Sequence, residues 1–154
     1  MPVPDNDRLM RDNVAKMPVP EFEKPAFTKP PPLAECRVAI VTSAALHVAT
    51  EDGFEPGLDP KFTVLDDGER ALRLGHVSPN FDRGGFAADL NVVYPVDRLH
   101  ELAARGVIGS VAPHHYAFAG NQDEQVSTVR LDTGPACAKR MRDEGVDVVL
   151  LTPV

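Results

Sequence analysis

Several things are scarce in this chain of 154 residues. Basic residues are outnumbered: 16 Lys and Arg stand against 23 Asp and Glu, giving a formal net charge of −7 and a pI near 5.1. Nucleic-acid binding wants a basic face, so this balance argues against that class. No apolar run approaches the ~20 residues of a membrane span. The opening MPVPDNDRLMRD lacks the apolar core of a signal peptide. Together these absences place the chain in the cytoplasm, away from membranes. Only two cysteines occur, Cys36 and Cys137, and they form no CxxC pair. In a reducing compartment they read as small buried apolar residues rather than as a disulfide. No GxGxxG follows a candidate strand, so dinucleotide binding is unsupported. No internal repeat is visible.

What is present falls into two parts. Residues 1–34 hold Pro2, Pro4, Pro18, Pro20, Pro25, Pro30, Pro31 and Pro32. Proline removes backbone donors, so neither a long helix nor a central strand can run through them. The reading is an extended proline-rich arm with room for a short helix at 7–16. In a homo-oligomer such an arm would lie on the neighbour. Residues 35–154 alternate apolar strands with helices, which indicates a single α/β domain. The expected architecture is three-layered, Rossmann-like or flavodoxin-like, with a mainly parallel sheet.

The stretch RVAIVT (37–42) is β-branched and apolar, the pattern of a central parallel strand. Ser43, Ala44 and Ala45 follow, and small residues there let the backbone approach a ligand. Residues 62–65 and 71–74 read as short strands around the turn Asp66-Asp67-Gly68. Pro95 suits the first turn of a helix over 96–105, and Gly106 suits its end. Val107 to Ala112 reads as a buried strand that empties into His114, His115 and Tyr116. The end of a parallel strand is where α/β domains place their sites. Thr133 can cap a helix over 135–144. VDVVLL (146–151) reads as a second buried strand, followed by Thr152, Pro153 and Val154.

Three runs carry a resemblance: RVAIVTSAALHV, DLNVVYPVDRLHELAARGVIGSVAPHHYAFAG and EGVDVVLLTPV. In this order, over 35–154, the chain resembles the selenoprotein B family. That family is the substrate-handling component of the glycine, sarcosine and betaine reductases and of D-proline reductase. The resemblance implies an α/β domain and reductive cleavage of a C–N bond in a small amino acid or its N-methylated relative. It implies partner reductase subunits and no bound cofactor. It also implies that TPV is followed by selenocysteine, or cysteine, as the reactive centre. The chain ends at Val154, before that position, so the 154 residues alone are expected to be inactive. Neither Cys36 nor Cys137 occupies the reactive position. Gly75, His114 and Ala117-Phe118-Ala119-Gly120 depart from the family's usual residues.

A chalcogen anion is the nucleophile in such chemistry, and the leaving amine must carry a proton. His47, just after the first strand, reads as a site residue or as an exposed loop histidine. His76 carries the same two readings. His115 and Tyr116 match the family's HY and read as catalytic. Asp82, in NFDRGG, reads as a partner for a cationic amine or as a turn residue. Ser43 and Thr152 are candidate substrate contacts at strand ends. His100 reads as a surface histidine, and Asn91 as a structural brace. The histidines match no compact metal motif, so no metal is expected. The alternative is a non-catalytic small-molecule-binding or scaffold domain.

Overall fold

The computed structural model describes residues 6–16, 27–76, 83–122 and 126–154. The proline-rich arm falls partly outside these, and so does Asp82. Within the arm, Asn6–Val14 forms helix α1.

Strand β1 (Arg37–Thr42) is the centre of the main sheet. Its residues Val38, Ala39, Ile40 and Thr42 are all buried, with paired strands along both of its edges. Along one edge runs β7 (Val148–Thr152), parallel, with Val38 opposite Val148 and Thr42 opposite Thr152. Along the other run β5 (Ser110–Val111) and β6 (His114–Phe118), also parallel. Arg37 faces Ser110 and Val41 faces Tyr116, so Ala112 and Pro113 are an insertion between two halves of one interrupted strand. Proline brings no N–H to a ladder, and the ladder breaks at it. Strand β3 (Phe62–Asp66) then adds antiparallel to β6, which makes the sheet mixed. Strands β2 (Leu46–Val48) and β4 (Leu72–Leu74) form a separate antiparallel ribbon.

The strands around the turn Asp66-Asp67-Gly68 form as expected, β3 pairing with β6 and β4 with β2. One expectation about strands changes. His114, His115 and Tyr116 lie inside β6, not beyond a strand end. The chain regains strand geometry after Pro113 because β3 offers a second partner on that side.

Helix α2 (Arg83–Ala88) leads into a 3-10 turn at Leu90–Val92 and then into α3 (Val96–Ala104). Pro95 precedes the helix and supplies no side-chain cap. Asn91 does this instead: its Oδ1 accepts from the Asp97 N–H at 3.1 Å and its Nδ2 donates to Asp97 Oδ2 at 2.9 Å. Gly106, at φ +69°, closes the helix in the left-handed conformation that glycine tolerates. The apolar side of α3 sets Val96 and Leu99 into a core with Val38, Ile40, Leu46, Leu65, Tyr94 and Ile108. Each such side chain contributes about 1.5–3 kcal/mol on burial.

The opposite face of the sheet is covered sparsely. A π-helical turn at Val129–Thr133 precedes α4 (Gly134–Asp143), in which only Cys137 is buried. Thr133 does not cap this helix; it is itself helical, and its hydroxyl donates to the Pro60 carbonyl at 2.7 Å. Strand β7 is an edge strand, so Val149, Leu150 and Leu151 are 36%, 38% and 67% exposed rather than buried. The coarse expectation of an α/β domain around a central RVAIVT strand holds. Among the described residues no helix is long and apolar enough to cross a membrane.

Candidate functional site at the carboxyl edge of the sheet

The carboxyl ends of β1, β6 and β7 meet at one edge. There Thr42, Ser43 and Thr152 are laced together. The Ser43 N–H donates to the Thr152 carbonyl at 3.2 Å. The Thr42 hydroxyl donates to the same carbonyl at 3.3 Å and accepts from the Ala44 N–H at 3.2 Å. Thr152 reaches across with its own hydroxyl to the Val93 carbonyl, 3.0 Å away. Ser43 Oγ accepts from the Val154 N–H at 2.8 Å, which pins the residue after Pro153 against the end of β1.

Beside this lacing lies an open cavity of about 230 Å³, lined by Val41, Thr42, Ser43, Phe118, Leu151, Thr152 and Pro153. No lining residue is charged. Gly120 borders the same edge: a Cβ there would stand 3.2 Å from the Ser43 carbonyl, 3.5 Å from the Val154 carbonyl and 3.5 Å from His76 Nε2. The imidazole of His76 thus reaches the place where β1 and β7 end. Arg83, at the start of α2, donates from Nη2 to the His76 carbonyl at 2.9 Å.

The backbone leading into this edge is under strain. Ala45 has φ +54°, a left-handed conformation uncommon for a residue with a Cβ. Its carbonyl accepts from the Gly75 N–H at 2.9 Å and lies 3.3 Å from His47 Nδ1. A Cβ at Gly75 would come 2.8 Å from that carbonyl. Gly75 is therefore required by the close approach that sets His76 over Gly120.

Of the residues singled out in the sequence, Ser43, His76 and Thr152 come together at this edge. His47 does not join them. It sits on β2, buried, with its ring packed so closely on Gly53 that a Cβ there would meet it at 2.8 Å. His115 and Tyr116 lie deeper in the sheet, fully buried and turned to opposite faces. His115 Nδ1 accepts from the Ile40 N–H at 3.0 Å, and its Nε2 lies 3.3 Å from Asp67 Oδ1. Burial lowers its pKa, against the opposing pull of the Asp67 carboxylate. Burial pushes the Tyr116 phenol up to about 12, with the neighbouring Glu144 carboxylate adding to the rise. Among the described residues neither its buried hydroxyl nor the buried Glu144 Oε2 has a hydrogen-bond partner.

Other side chains engage that no local pattern marks. Asp67 binds His100 as well as His115, at 2.8 Å from His100 Nε2. These partners are 33 and 48 residues away in sequence, so no local pattern could reveal the bridge. His114 sits between Glu144, at 2.9 Å, and Asp66, at 3.4 Å. Arg83 has a local signal in NFDRGG, where it follows Asp82. Both cysteines are buried and free. Burial raises the Cys36 thiol, and it pushes the Cys137 thiol up to about 12. Among the described residues no group of three or more His, Cys, Asp and Glu could hold a metal ion.

Comparison with known proteins gives a consistent picture. The family described as glycine/sarcosine/betaine reductase selenoprotein B matches residues 10–154. The D-proline reductase subunit gamma of Acetoanaerobium sticklandii is 33% identical over 122 residues, covering 78% of this chain and 49% of its own length. The glycine reductase complex component B subunit gamma of Carboxydothermus hydrogenoformans is 30% identical over 145 residues, covering 86% of this chain and 32% of its own. The sarcosine reductase complex component B subunit beta of Peptoclostridium acidaminophilum is 27% identical over 143 residues, with the same coverages of 86% and 32%. The chain thus spans between a third and a half of the length of these relatives. No solved structure matches it.

Proposed function

Because the chain belongs to the glycine/sarcosine/betaine reductase selenoprotein B family, we propose that it is the substrate-handling portion of a cytoplasmic amino-acid reductase. Its substrate is a small amino acid or an N-methylated relative. The reaction opens with nucleophilic displacement: a selenolate or thiolate carried just beyond Val154 attacks the carbon bearing the amine. A carbon–chalcogen bond forms, the C–N bond breaks with its electron pair passing to nitrogen, and the amine leaves protonated. The reducing equivalents that later free the chalcogen come from partner subunits.

One observation carries this reading. Val154 is pinned by Ser43 at the carboxyl edge of the parallel strands, beside His76, Gly120 and an uncharged cavity. A residue following Val154 would emerge where α/β sheets bind ligands. His76 is the imidazole within reach to hold or deliver the amine's proton. Ser43 and Thr152 shape the edge. His47, His115, Tyr116 and Asp82 remain candidates from the resemblance; the burial of His115 and Tyr116 suits them better to bracing the sheet than to touching substrate. The parallel β5/β6, β1 and β7 arrangement supports a Rossmann-like or flavodoxin-like three-layer architecture for the whole domain.

The test is the intact mass and selenium content of the protein purified from its native host. The expected species is heavier than 16.7 kDa and carries selenium or an added cysteine. A species of 16.7 kDa without selenium would overturn the catalytic reading. It would favour a binding or scaffold domain instead, which the two buried thiols of this chain also fit.

A further inference from the structure

The carboxyl-edge cavity has an uneven chemistry. Its walls are Val41, Phe118, Leu151 and Pro153, with hydroxyls from Thr42, Ser43 and Thr152. The Thr42, Ser43 and Thr152 hydroxyls are already hydrogen-bonded to backbone. No cation belongs to the lining. A small amino acid, however, brings a carboxylate, and a carboxylate leaves water only against strong donors.

Arg83 is a cation tied to this edge. Its Nη2 is tied to the His76 carbonyl at 2.9 Å, and the imidazole of that same residue stands over Gly120 beside the ends of β1 and β7. The guanidinium therefore sits within one residue's span of the edge. Arg83 is exposed, and among the described residues no carboxylate pairs with it. Arg70, by contrast, is committed to a carboxylate, binding Asp97 at 2.9 Å. A guanidinium carries five donors in a planar fork, so one bond to a carbonyl leaves others for a two-pronged grip on a carboxylate.

We propose that Arg83 is the residue that recognises the carboxylate of the substrate, resting on the reading of the carboxyl edge as an amino-acid site. The guanidinium holds the carboxylate at the rim, the aliphatic part of the ligand turns into the Val41–Phe118–Leu151 wall, and the amine faces His76. The tether to the His76 carbonyl gives Arg83 a fixed post and links carboxylate binding to the position of the imidazole.

Calorimetric binding to the full chain tests this, with glycine, sarcosine, betaine and D-proline as probes and glycinamide and prolinamide as neutral-carbonyl controls. The expected result is that one or more acids bind and the matching amide binds weaker by about tenfold or more, the weight of a charged hydrogen bond. Arg83→Gln keeps a donor for the His76 carbonyl but removes the charge. It should lower acid affinity by a similar factor and erase the preference for acid over amide. Arg83→Lys should retain part of that preference. Acid binding and acid-over-amide preference unchanged in Arg83→Gln would overturn the assignment while leaving the amino-acid site standing. Loss of acid and amide binding alike, with normal circular dichroism, would reduce Arg83 to a structural tether and also overturn it. Failure of the wild-type chain to bind any of the acids would overturn the site itself, and this assignment with it.

Discussion

His115 Nδ1 accepts a hydrogen bond from the backbone N–H of Ile40, 3.0 Å away, in the middle of the sheet. The bond stands where the interruption at Ala112 and Pro113 takes β5 and β6 out of register with β1. An imidazole fills a gap in a backbone ladder, and it can do so only with Nδ1 unprotonated. Its other nitrogen then carries the proton and faces Asp67.

This arrangement predicts acid sensitivity. Burial lowers the folded-state pKa of His115 below its ordinary 6.5. The folded state therefore binds fewer protons than the unfolded chain, and stability falls as pH drops. The contribution is whole above about pH 6.5 and is lost below it, down to the folded value. The hydrogen bond and charge of Asp67 pull the other way, while His100 and Arg70 add to the lowering. Urea denaturation at about pH 7.5 and about pH 5.5 should show a lower midpoint in acid. In His115→Phe that difference should shrink, at a cost of about 1–3 kcal/mol at neutral pH for the orphaned Ile40 N–H.

The two thiols should be silent. Cys36 and Cys137 are 0% and 2% exposed, and burial raises both pKa values, that of Cys137 to about 12. At neutral pH each is a protonated thiol without access to reagent. Titration with a disulfide reagent should find essentially no rapid reaction in the native chain and two equivalents after denaturation. Fast native labelling of Cys137 would mean that α4 leaves the sheet readily.

Much of the fold could be read from the sequence because its signals were local. RVAIVT announced a central strand by being β-branched throughout, and the Pro95 and Gly106 pair bracketed α3 correctly. What failed was non-local. Pro113 looked like the end of a strand, but pairing with β3 carries the chain on through His114 to Phe118. VDVVLL looked buried by composition, yet a strand's position in the sheet, not its residues, decides its exposure, and β7 is at the edge. For the same reason the candidate site was half legible. Ser43 and Thr152 lie at strand ends that the sequence marks. The placement of His76 depends on the Ala45–Gly75 contact, made across 30 residues of chain and invisible to any window.

Asn91 is the cap that α3 otherwise lacks. It accepts from the Asp97 N–H and holds the Asp97 carboxylate, whose pKa it lowers together with Arg70. It also accepts no help from Pro95, which offers no side-chain bond. Asn91→Ala should cost about 1 kcal/mol, the usual worth of an N-cap. The loss should grow smaller in acid, where Asp97 protonates and the carboxylate half of the bracket weakens. Thermal unfolding of both proteins across a pH series measures this.

Gly75 is where fold and site are joined. Its N–H donates to the Ala45 carbonyl at 2.9 Å, and a Cβ would stand 2.8 Å from the same oxygen. The oxygen cannot yield easily, because Ala45 is already in a left-handed conformation and its N–H is bound to the Phe118 carbonyl at 2.9 Å. Gly75→Ser should therefore destabilise by about 1–3 kcal/mol through overpacking. The strain must be relieved by moving residues 74–76 outward, which carries the His76 ring off Gly120. Any ligand affinity measured at the carboxyl edge should fall in this variant by more than its stability loss explains at temperatures where it remains folded. The paired substitution Gly75→Ser with Ala45→Gly relaxes the left-handed strain and should restore part of the stability. Full stability and unchanged His76 chemical shifts in Gly75→Ser alone would refute the claim that this contact positions the imidazole.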